Sequence, residues 1–315
     1  MTAPAKQVTP RGMMYLSVVY VVWSSTYLAI RLAVGPNGGF APFALGASRV
    51  AVAGFILLGI AALRGHRVRV NRRELATLAV SGILLWVGGN GLVLWAEQTA
   101  ASGFAALMVS STPIWVAGMN AVLDRKKPSW LLAVSLIVGF LGLVVLMYPS
   151  IGTPGNTGWL PPAALVCASF LWGVGSLVQS RRPVSVSPPV TSAYQHLAAG
   201  VAFLLISLLL GEKMPHPSVT AWAAWGYLVV FGSILAFTSY IYALELLPIN
   251  IAMTYSYVNP VLALALGWWL LDETITLPVL GGAAMVVLGV VGVFRDRARQ
   301  VPPADPLEVG CREGD

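Results

Sequence analysis

Two stretches decide the fold, Ser110-Ser111-Thr112-Pro113 and Tyr257-Val258-Asn259-Pro260. They lie near the centres of apolar runs at 102–123 and 249–271, each long enough to cross a bilayer. Proline lacks an N–H and clashes with the carbonyl four residues earlier, so each helix is predicted to be kinked or split there. A carbonyl freed inside lipid is costly unless protein or a water-filled cavity accepts it.

The residues that precede the prolines, Thr112 and Asn259, each carry a side-chain donor at the break. Polar breaks at matching places in two halves of a membrane protein point to a binding site near the middle of the membrane. We therefore predict that Pro113 and Pro260 are hinges of a gated cavity. A simple packing kink is the alternative for either proline taken alone.

The two halves of the chain are related by an internal repeat. Pro113 and Pro260 are 147 residues apart, and Trp23 and Trp172, each in the first span of its half, are 149 apart. The offset of 147 also relates Ala96 with Ala243, Ala105 with Ala252, Leu123 with Leu270, Leu141 with Leu288, Gly142 with Gly289 and Val144 with Val291. Matches between Leu, Ala and Gly are frequent by chance, so the Pro and Trp pairs are the main support. The chain is predicted to be two copies of one unit.

The composition predicts an all-α protein that crosses the membrane many times. Of 315 residues, 57% are hydrophobic and 10% charged, and the mean hydropathy is +0.78. Soluble domains carry about 25% charged residues. Ten apolar stretches reach the roughly 20 residues that a helix needs to cross the hydrocarbon core. They are 12–34, 42–63, 75–96, 102–123, 129–148, 159–179, 190–210, 220–243, 249–271 and 277–294.

An uncharged link at 149–156 separates five spans from five. We therefore predict a first repeat at 12–148, a second at 159–294, and cytoplasmic tails at 1–11 and 295–315. Because five is an odd number, the second repeat is inverted relative to the first. Two inverted five-helix repeats around a central cavity are a transporter architecture that works by alternating access.

Lysine and arginine in short loops mark the cytoplasmic side of a membrane protein. Of 19 such residues, 16 fall on one side, and Lys213 alone lies in a loop on the other. The sixteen are Lys6, Arg11, Arg64, Arg67, Arg69, Arg72, Arg73, Arg125, Lys126, Lys127, Arg181, Arg182, Arg295, Arg297, Arg299 and Arg312. Both termini are thus predicted to be cytoplasmic. The pI of about 9.6 reflects topology, and no nucleic-acid partner is expected.

Residue patterns for catalysis or metal binding are missing from the sequence, and its three histidines form no H-E-x-x-H motif. Glu97, Glu245, Asp272 and Glu273 sit at span ends, and no carboxylate lies deep in a span. Proton- or sodium-coupled pumps commonly place one there. We predict no enzyme activity, no metal and no cofactor, and facilitated export down the substrate gradient.

Three polar residues within spans are candidates for substrate contact. Arg49 and His196 occupy corresponding places in the two repeats, and intramembrane ionisable residues are functional by default. The alternatives are a snorkelling Arg49 and a packed His196. Asn90, flanked by glycines, suits a loosened helix that lines a cavity, with close helix packing as the alternative. Glycines of the fifth and tenth spans are read as packing faces, within the chain or between two copies: Gly139, Gly142, Gly289 and Gly292.

Tryptophan is abundant, with 11 residues, and deep aromatic side chains predict a cavity with few fixed charges. Half-helix ends at the two breaks are expected to solvate the α-amino and α-carboxyl groups of a zwitterion, while the aromatic wall accommodates varied side chains. This predicts weak, broad transport of neutral and aromatic amino acids. The predicted cavity residues are Trp23, Arg49, Asn90, Trp95, Thr112, Trp172, His196, Tyr255, Tyr257 and Asn259.

Several of these residues lie in motifs of a known family. Trp23-Ser24-Ser25-Thr26-Tyr27 resembles the first-span signature of EamA-type members of the drug/metabolite transporter superfamily, and Tyr255-Ser256-Tyr257-Val258-Asn259-Pro260 resembles their ninth span. Asn90-Gly91, Ala96-Glu97, Ser102-Gly103, Thr112-Pro113, Ser233-Ile234 and Asp272-Glu273 fit the same family. Two departures are Ser24 in place of the usual Gly, and Arg125-Lys126-Lys127 where many members have an acidic residue.

The chain is also similar to bacterial aromatic amino acid exporters within that superfamily. The resemblance implies ten helices, two EamA repeats, the bacterial inner membrane, and export of amino acids or related metabolites. It also implies a cavity walled by spans 1, 3, 4, 6, 8 and 9, with Trp172 as a substrate contact. A membrane-embedded channel or a ligand sensor is the alternative. The substrate, the driving force and the choice between monomer and homodimer stay open.

Overall fold

The computed structural model describes residues 6–100, 102–151, 159–262 and 276–300. All regular elements within these ranges are helical, and they follow the predicted spans in order. The elements are α1 (Pro10–Val34), α2 (Pro42–Leu63), α3 (Arg72–Ala96), α4 (Ser102–Val109 and Thr112–Asp124), α5 (Trp130–Ile151), α6 (Leu160–Arg181), α7 (Pro188–Leu209), α8 (Val219–Leu246), α9 (Ile249–Ala252 and 255–262) and α10 (Leu277–Gln300). Leu270, Asp272 and Glu273 of the predicted ninth span and its end lie outside the described residues.

Helix length and composition confirm the predicted all-α membrane fold. In the described ranges, eight helices are long and apolar enough to cross a membrane, and α5 contributes a shorter apolar stretch, Trp130–Val145. Local sequence sets the starts: Thr9 Oγ1 accepts from the Gly12 amide at 3.1 Å in front of α1, and Asn71 and Glu74 form a capping box on α3. At the other end, α10 continues to Gln300, so the first residues of the predicted C-terminal tail are helical.

The helix pairing repeats between the two halves. The most extensive contacts join α2 to α7 and α5 to α10, while α1 packs on α8 and α3 on α6. The counterparts in the two halves are α1 and α6, α2 and α7, α3 and α8, α4 and α9, and α5 and α10. When each helix is replaced by its counterpart, the same four pairs result. The predicted inverted repeat therefore describes the packing as well as the sequence.

Glycine contacts in the α5–α10 interface show the same offset residue by residue. A Cβ built on Gly142 would meet the Gly282 carbonyl oxygen at 2.9 Å and the Val286 nitrogen at 2.8 Å. A Cβ built on Gly289 would meet the Ser135 carbonyl oxygen at 2.7 Å and the Gly139 nitrogen at 2.8 Å. Positions 282 and 286, which face Gly142, are each 147 residues after positions 135 and 139, which face Gly289. These glycines are thus engaged within the chain, where they bring two helix backbones together.

Loop contacts place the connections on two opposite sides. The His216 amide donates to the Gly39 carbonyl at 3.1 Å, which joins the α1–α2 and α7–α8 loops. On the other side, Ser185 of the α6–α7 loop donates to the Glu74 carboxylate at 2.5 Å, beside Arg67 of the α2–α3 loop. In parallel repeats the α6–α7 loop would instead lie with the α1–α2 loop, so the pairing requires inversion.

Helix irregularities occur at matching places in both halves. Residues Ile83–Gly91 of α3 and Leu228–Phe237 of α8 form π-helical segments, which often mark functional sites. The α4 helix breaks at 110–111, beside Pro113 as predicted. The α9 helix breaks at 253–254, about two turns before Pro260, and this corrects the expected position of the second break.

Candidate functional site

A cavity lies among helices of both repeats, with about 560 Å³ of empty space including its open side. Six of the ten predicted residues contribute to its wall: Trp23, Arg49, Asn90, Trp172, Tyr255 and Asn259. The remaining wall residues are Thr26, Tyr27, Ile30, Trp86, Gly89, Val93, Val109 and Ala168. They belong to α1, α3, α4 and α6. Within the described residues, α8 contributes none of the wall, unlike the family expectation, and α2 contributes Arg49.

The wall residues that sequence reasoning missed follow a helical pattern. On α1 the wall is formed by Trp23, Thr26, Tyr27 and Ile30, and on α3 by Trp86, Gly89, Asn90 and Val93. Both sets are spaced i, i+3, i+4 and i+7, which defines one face of a helix. Trp23 and Asn90 were recognised singly, and extension along their helical faces would have found the other six.

Aromatic rings pack around the repeat-equivalent pair Trp23 and Trp172. Their ring centroids are 5.5 Å apart in an edge-to-face contact, and Trp23 also contacts Tyr240 at 5.2 Å and Tyr255 at 5.0 Å. The Trp172 indole donates to the Tyr240 hydroxyl at 3.2 Å. A Cβ on Gly89 would come within 2.6 Å of the Trp172 ring, so glycine is needed for this ring to lie against α3. The result is a closely packed aromatic wall on one side of the cavity.

Arg49 is the charged group of the cavity, and its side chain is 2% exposed. Its Nε donates to Ser233 Oγ at 2.8 Å, and Nη1 lies 3.4 Å from Asn90 Oδ1. The guanidinium carbon stands 4.9 Å from the Trp86 ring centre, a cation–π distance. All of these partners are neutral. Thus Arg49 links α2, α3 and α8 and does not snorkel to a membrane surface.

Hydroxyl groups lie in position to donate hydrogen bonds to the carbonyls that the two prolines leave without a helical partner. Thr112 Oγ1 donates to the Val109 carbonyl at 2.7 Å, four residues before Pro113. Ser110 Oγ of the other repeat lies 2.7 Å from the Ser256 carbonyl, four residues before Pro260, and 2.7 Å from the Ala106 carbonyl of its own helix, so its single proton serves one of the two at a time. The break in α4 therefore lies within hydrogen-bond distance of the helix that carries the second proline.

Asn259 contributes a donor near this second proline. With its amide nitrogen turned toward the nearby carbonyls, the side chain donates to Tyr255 at 3.0 Å and to Tyr20 of α1 at 3.1 Å. The Tyr20 hydroxyl in turn shares a 2.6 Å hydrogen bond with Thr254 in the break of α9. Tyr20 of α1 thus contacts the break through its hydroxyl and accepts from Asn259 through its main-chain carbonyl.

Four of the ten predicted residues do not line this cavity. The Tyr257 hydroxyl donates to the Leu136 carbonyl of α5 at 2.8 Å, and Thr112 bonds its own helix. Trp95 packs at the edge of two apolar clusters. His196 is fully buried behind Trp86, with ring centroids 4.7 Å apart.

His196 serves packing in this structure, since its Nδ1 lies 2.6 Å from the Ser192 carbonyl and its ring contacts Phe237 at 4.8 Å. We expect His196→Gln to leave transport per folded molecule unchanged, because no wall atom is altered. The measurement is flux into proteoliposomes with and without an imposed pH gradient. Concentrative, pH-driven uptake that His196→Gln removes would make His196 the coupling site instead.

Glu97 sits at the end of α3, as the sequence predicted, but it is wholly buried there. Neither of its carboxylate oxygens has a hydrogen-bond partner in the described part of the chain. The Arg31 guanidinium donates to the main-chain carbonyl of Glu97. The pair therefore joins α1 to the end of α3, outside the cavity wall.

Comparison with known proteins agrees with this architecture. The model of the EamA-like transporter family matches the chain twice, at residues 10–148 and 161–295. The inner membrane transporter YedA of Escherichia coli K12 is 34% identical over 267 residues, which cover 83% of each chain. An S-adenosylmethionine/S-adenosylhomocysteine transporter of Chlamydia trachomatis serovar L2 is 25% identical, covering 89% of this chain and 88% of its own.

One solved crystal structure superposes with a TM-score of 0.76 at 21% identity, covering 92% of this chain and 98% of the other. That likeness concerns the fold. The family model spans both halves, and YedA matches most of the chain at more than 30% identity. The chain therefore belongs to the EamA-like transporter family, within the drug/metabolite transporter superfamily.

Proposed function

We propose that this transporter exports neutral and aromatic amino acids and related small metabolites from the bacterial cytoplasm. The observation that carries the proposal is the cavity between the repeats, with Trp23, Trp172 and Tyr255 on its wall. Aromatic faces fit apolar side chains of varied shape, while Asn90 and Asn259 offer neutral hydrogen-bonding groups. A relative named for S-adenosylmethionine transport supports a substrate class built on an amino acid.

The proposed mechanism is alternating access between the two repeats, 12–148 and 159–294, with both termini in the cytoplasm. A polar pocket supports this orientation, because Lys6, Asp124, Arg181 and Arg297 line it together. These residues come from the N-terminal segment and the ends of α4, α6 and α10, where most loop lysines and arginines occur. Arg181 and Asp124 form an ion pair of 2.7 Å there, joining one helix of each repeat.

Trp172→Ala tests the proposed substrate class. The substitution removes a wall contact common to bulky side chains, and a change of pocket size alters discrimination by about 10- to 200-fold per methylene group. We expect the ratio of the tryptophan transport rate to the threonine transport rate to change by about tenfold. The summed transport rate of all amino acids should fall by a smaller factor. The measurement is counterflow of labelled amino acids in proteoliposomes.

Trp115→Ala is the matched control, since Trp115 lies on α4, contacts Phe170 and is 38% exposed. It should leave the substrate ratios unchanged. Strong preference for one amino acid, unaltered in Trp172→Ala, would contradict a broad aromatic-lined site. Conduction that does not saturate would identify a channel, and binding without flux would identify a sensor.

A further inference from the structure

Arg49 has a positive charge that the surrounding protein does not balance. The ion pairs in the described residues are Arg67 with Glu74 and Arg181 with Asp124, and neither involves Arg49. The guanidinium contacts a hydroxyl, an amide oxygen and an indole ring, which are all neutral. Within a membrane, such a group normally pairs with another charge or marks a substrate path.

The guanidinium also keeps hydrogen-bond donors that no described residue takes up. Nε is committed to Ser233, whereas the contact from Nη1 to Asn90 is long, at 3.4 Å. Nη2 has no hydrogen-bond partner among the described residues, and it faces the small residue Gly232, where a Cβ would lie 3.0 Å away. Two terminal nitrogens with spare donors form the planar fork that binds carboxylates through two parallel hydrogen bonds.

The cavity wall offers no carboxylate to form an ion pair with an ammonium group. None of the described wall residues is a carboxylate, and an amino group would meet only neutral acceptors such as Asn90, Asn259 and the Tyr27 hydroxyl. Glu97, the carboxylate that directly follows α3, lies outside the wall. The two charged ends of an amino acid are therefore expected to be recognised unequally.

We propose that Arg49 binds the substrate carboxylate, and that the carboxylate, not the ammonium group, is what the site selects. The substrate class then extends to carboxylic acids with an apolar or aromatic body, including 2-hydroxy acids that lack the amino group. This inference rests on the proposed function, because it concerns the same cavity. It specifies which charged group of the substrate the cavity binds. The sequence predicted that half-helix ends solvate the substrate carboxylate. In this proposal the Arg49 side chain binds it instead.

A matched ligand series separates the two ends of the substrate. Phenylalanine carries both charges, 3-phenyllactate lacks the ammonium, and 2-phenylethylamine lacks the carboxylate. For the native chain, we expect phenyllactate to compete with labelled phenylalanine in counterflow, and phenylethylamine to fail at the same concentration. Thermal unfolding of the purified protein gives a second readout, because ligand binding to the folded state raises the midpoint.

Arg49→Gln should weaken the binding of phenylalanine and of phenyllactate by about 10- to 100-fold. This is the loss expected when hydrogen bonds to a charged group are removed. Arg49→Lys keeps the charge without the fork, so it should show a smaller loss and covers the case in which the glutamine variant does not fold. Arg31→Gln is the control, an intramembrane arginine outside the wall. It should preserve the order of the three ligands.

Competition by phenylethylamine as strong as that of phenylalanine would overturn the proposal, as would equal binding of phenyllactate to native protein and a folded Arg49 variant. The proposed function fails separately. If phenylalanine shows no counterflow, but phenyllactate stabilises the native chain and not the Arg49 variants, then amino acid export is wrong and carboxylate binding by Arg49 stands.

Discussion

Gly289→Leu is expected to eliminate folded protein, whereas Gly281→Leu on the same helix is expected to be harmless. A Cβ at position 289 would lie 2.7 Å from the Cα of Gly139 and 2.7 Å from the Ser135 carbonyl oxygen. Both are backbone atoms of α5, so no side-chain rotation relieves the clash. Overpacking in adaptable cores costs about 1–3 kcal/mol, and a backbone clash along a helix pair exceeds this range.

The control at position 281 separates packing from helix propensity. A Cβ on Gly281 meets no atom within 4 Å, and leucine is a better helix former than glycine. The measurement is the yield of monodisperse protein in detergent and its unfolding midpoint. Native yield and midpoint in Gly289→Leu would show that α10 does not seat on α5 as described. Equal losses in both variants would point to helix insertion, not to the interface.

Much of this fold could be predicted from the sequence, because apolar length and loop charge act locally. The helix starts at Pro42 and Leu277 match the predicted spans, and the offset of 147 residues recurs in the contacts of Gly142 and Gly289. The break near Pro113 is equally local, since a proline removes a specific hydrogen bond. The break at 253–254 could not be placed, because no proline or glycine stands there in the sequence, and its contact with Tyr20 joins distant parts of the chain.

The site was only partly predictable, since the face that a helix turns inward depends on its neighbours. Arg49 and His196 are equivalent in sequence, and both contact Trp86, but Arg49 lines the cavity and His196 lies behind the ring. Tyr257 was expected beside Tyr255 in the cavity. Two residues apart on a helix, they point in different directions, and Tyr257 faces α5.

The two prolines are expected to control flux more than stability. Pro113→Ala restores an N–H that competes with Thr112 for the Val109 carbonyl, and Pro260→Ala does so with Ser110 for the Ser256 carbonyl. Pro260 lies inside a helical segment, where a proline costs about 3 kcal/mol. Pro113 follows the break at 110–111, so its removal lets Ser102–Val109 and Thr112–Asp124 join into one straighter helix. Because tenfold in population corresponds to about 1.4 kcal/mol, transport should fall by about 10- to 100-fold.

The folded protein should survive in both variants, because the hydroxyl partners remain and the neighbouring helices still hold α4 and α9. Pro161→Ala is the matched control, since Pro161 lies in the first turn of α6, where a missing N–H leaves no helical bond unmade. Initial flux per folded molecule is compared among the three variants, with unfolding midpoints measured in parallel. If both Pro113→Ala and Pro260→Ala transport at the native rate, the prolines are packing kinks. If Ser110→Ala reproduces the Pro260→Ala defect, the hydrogen bond from Ser110 to Ser256 couples the two repeats during transport.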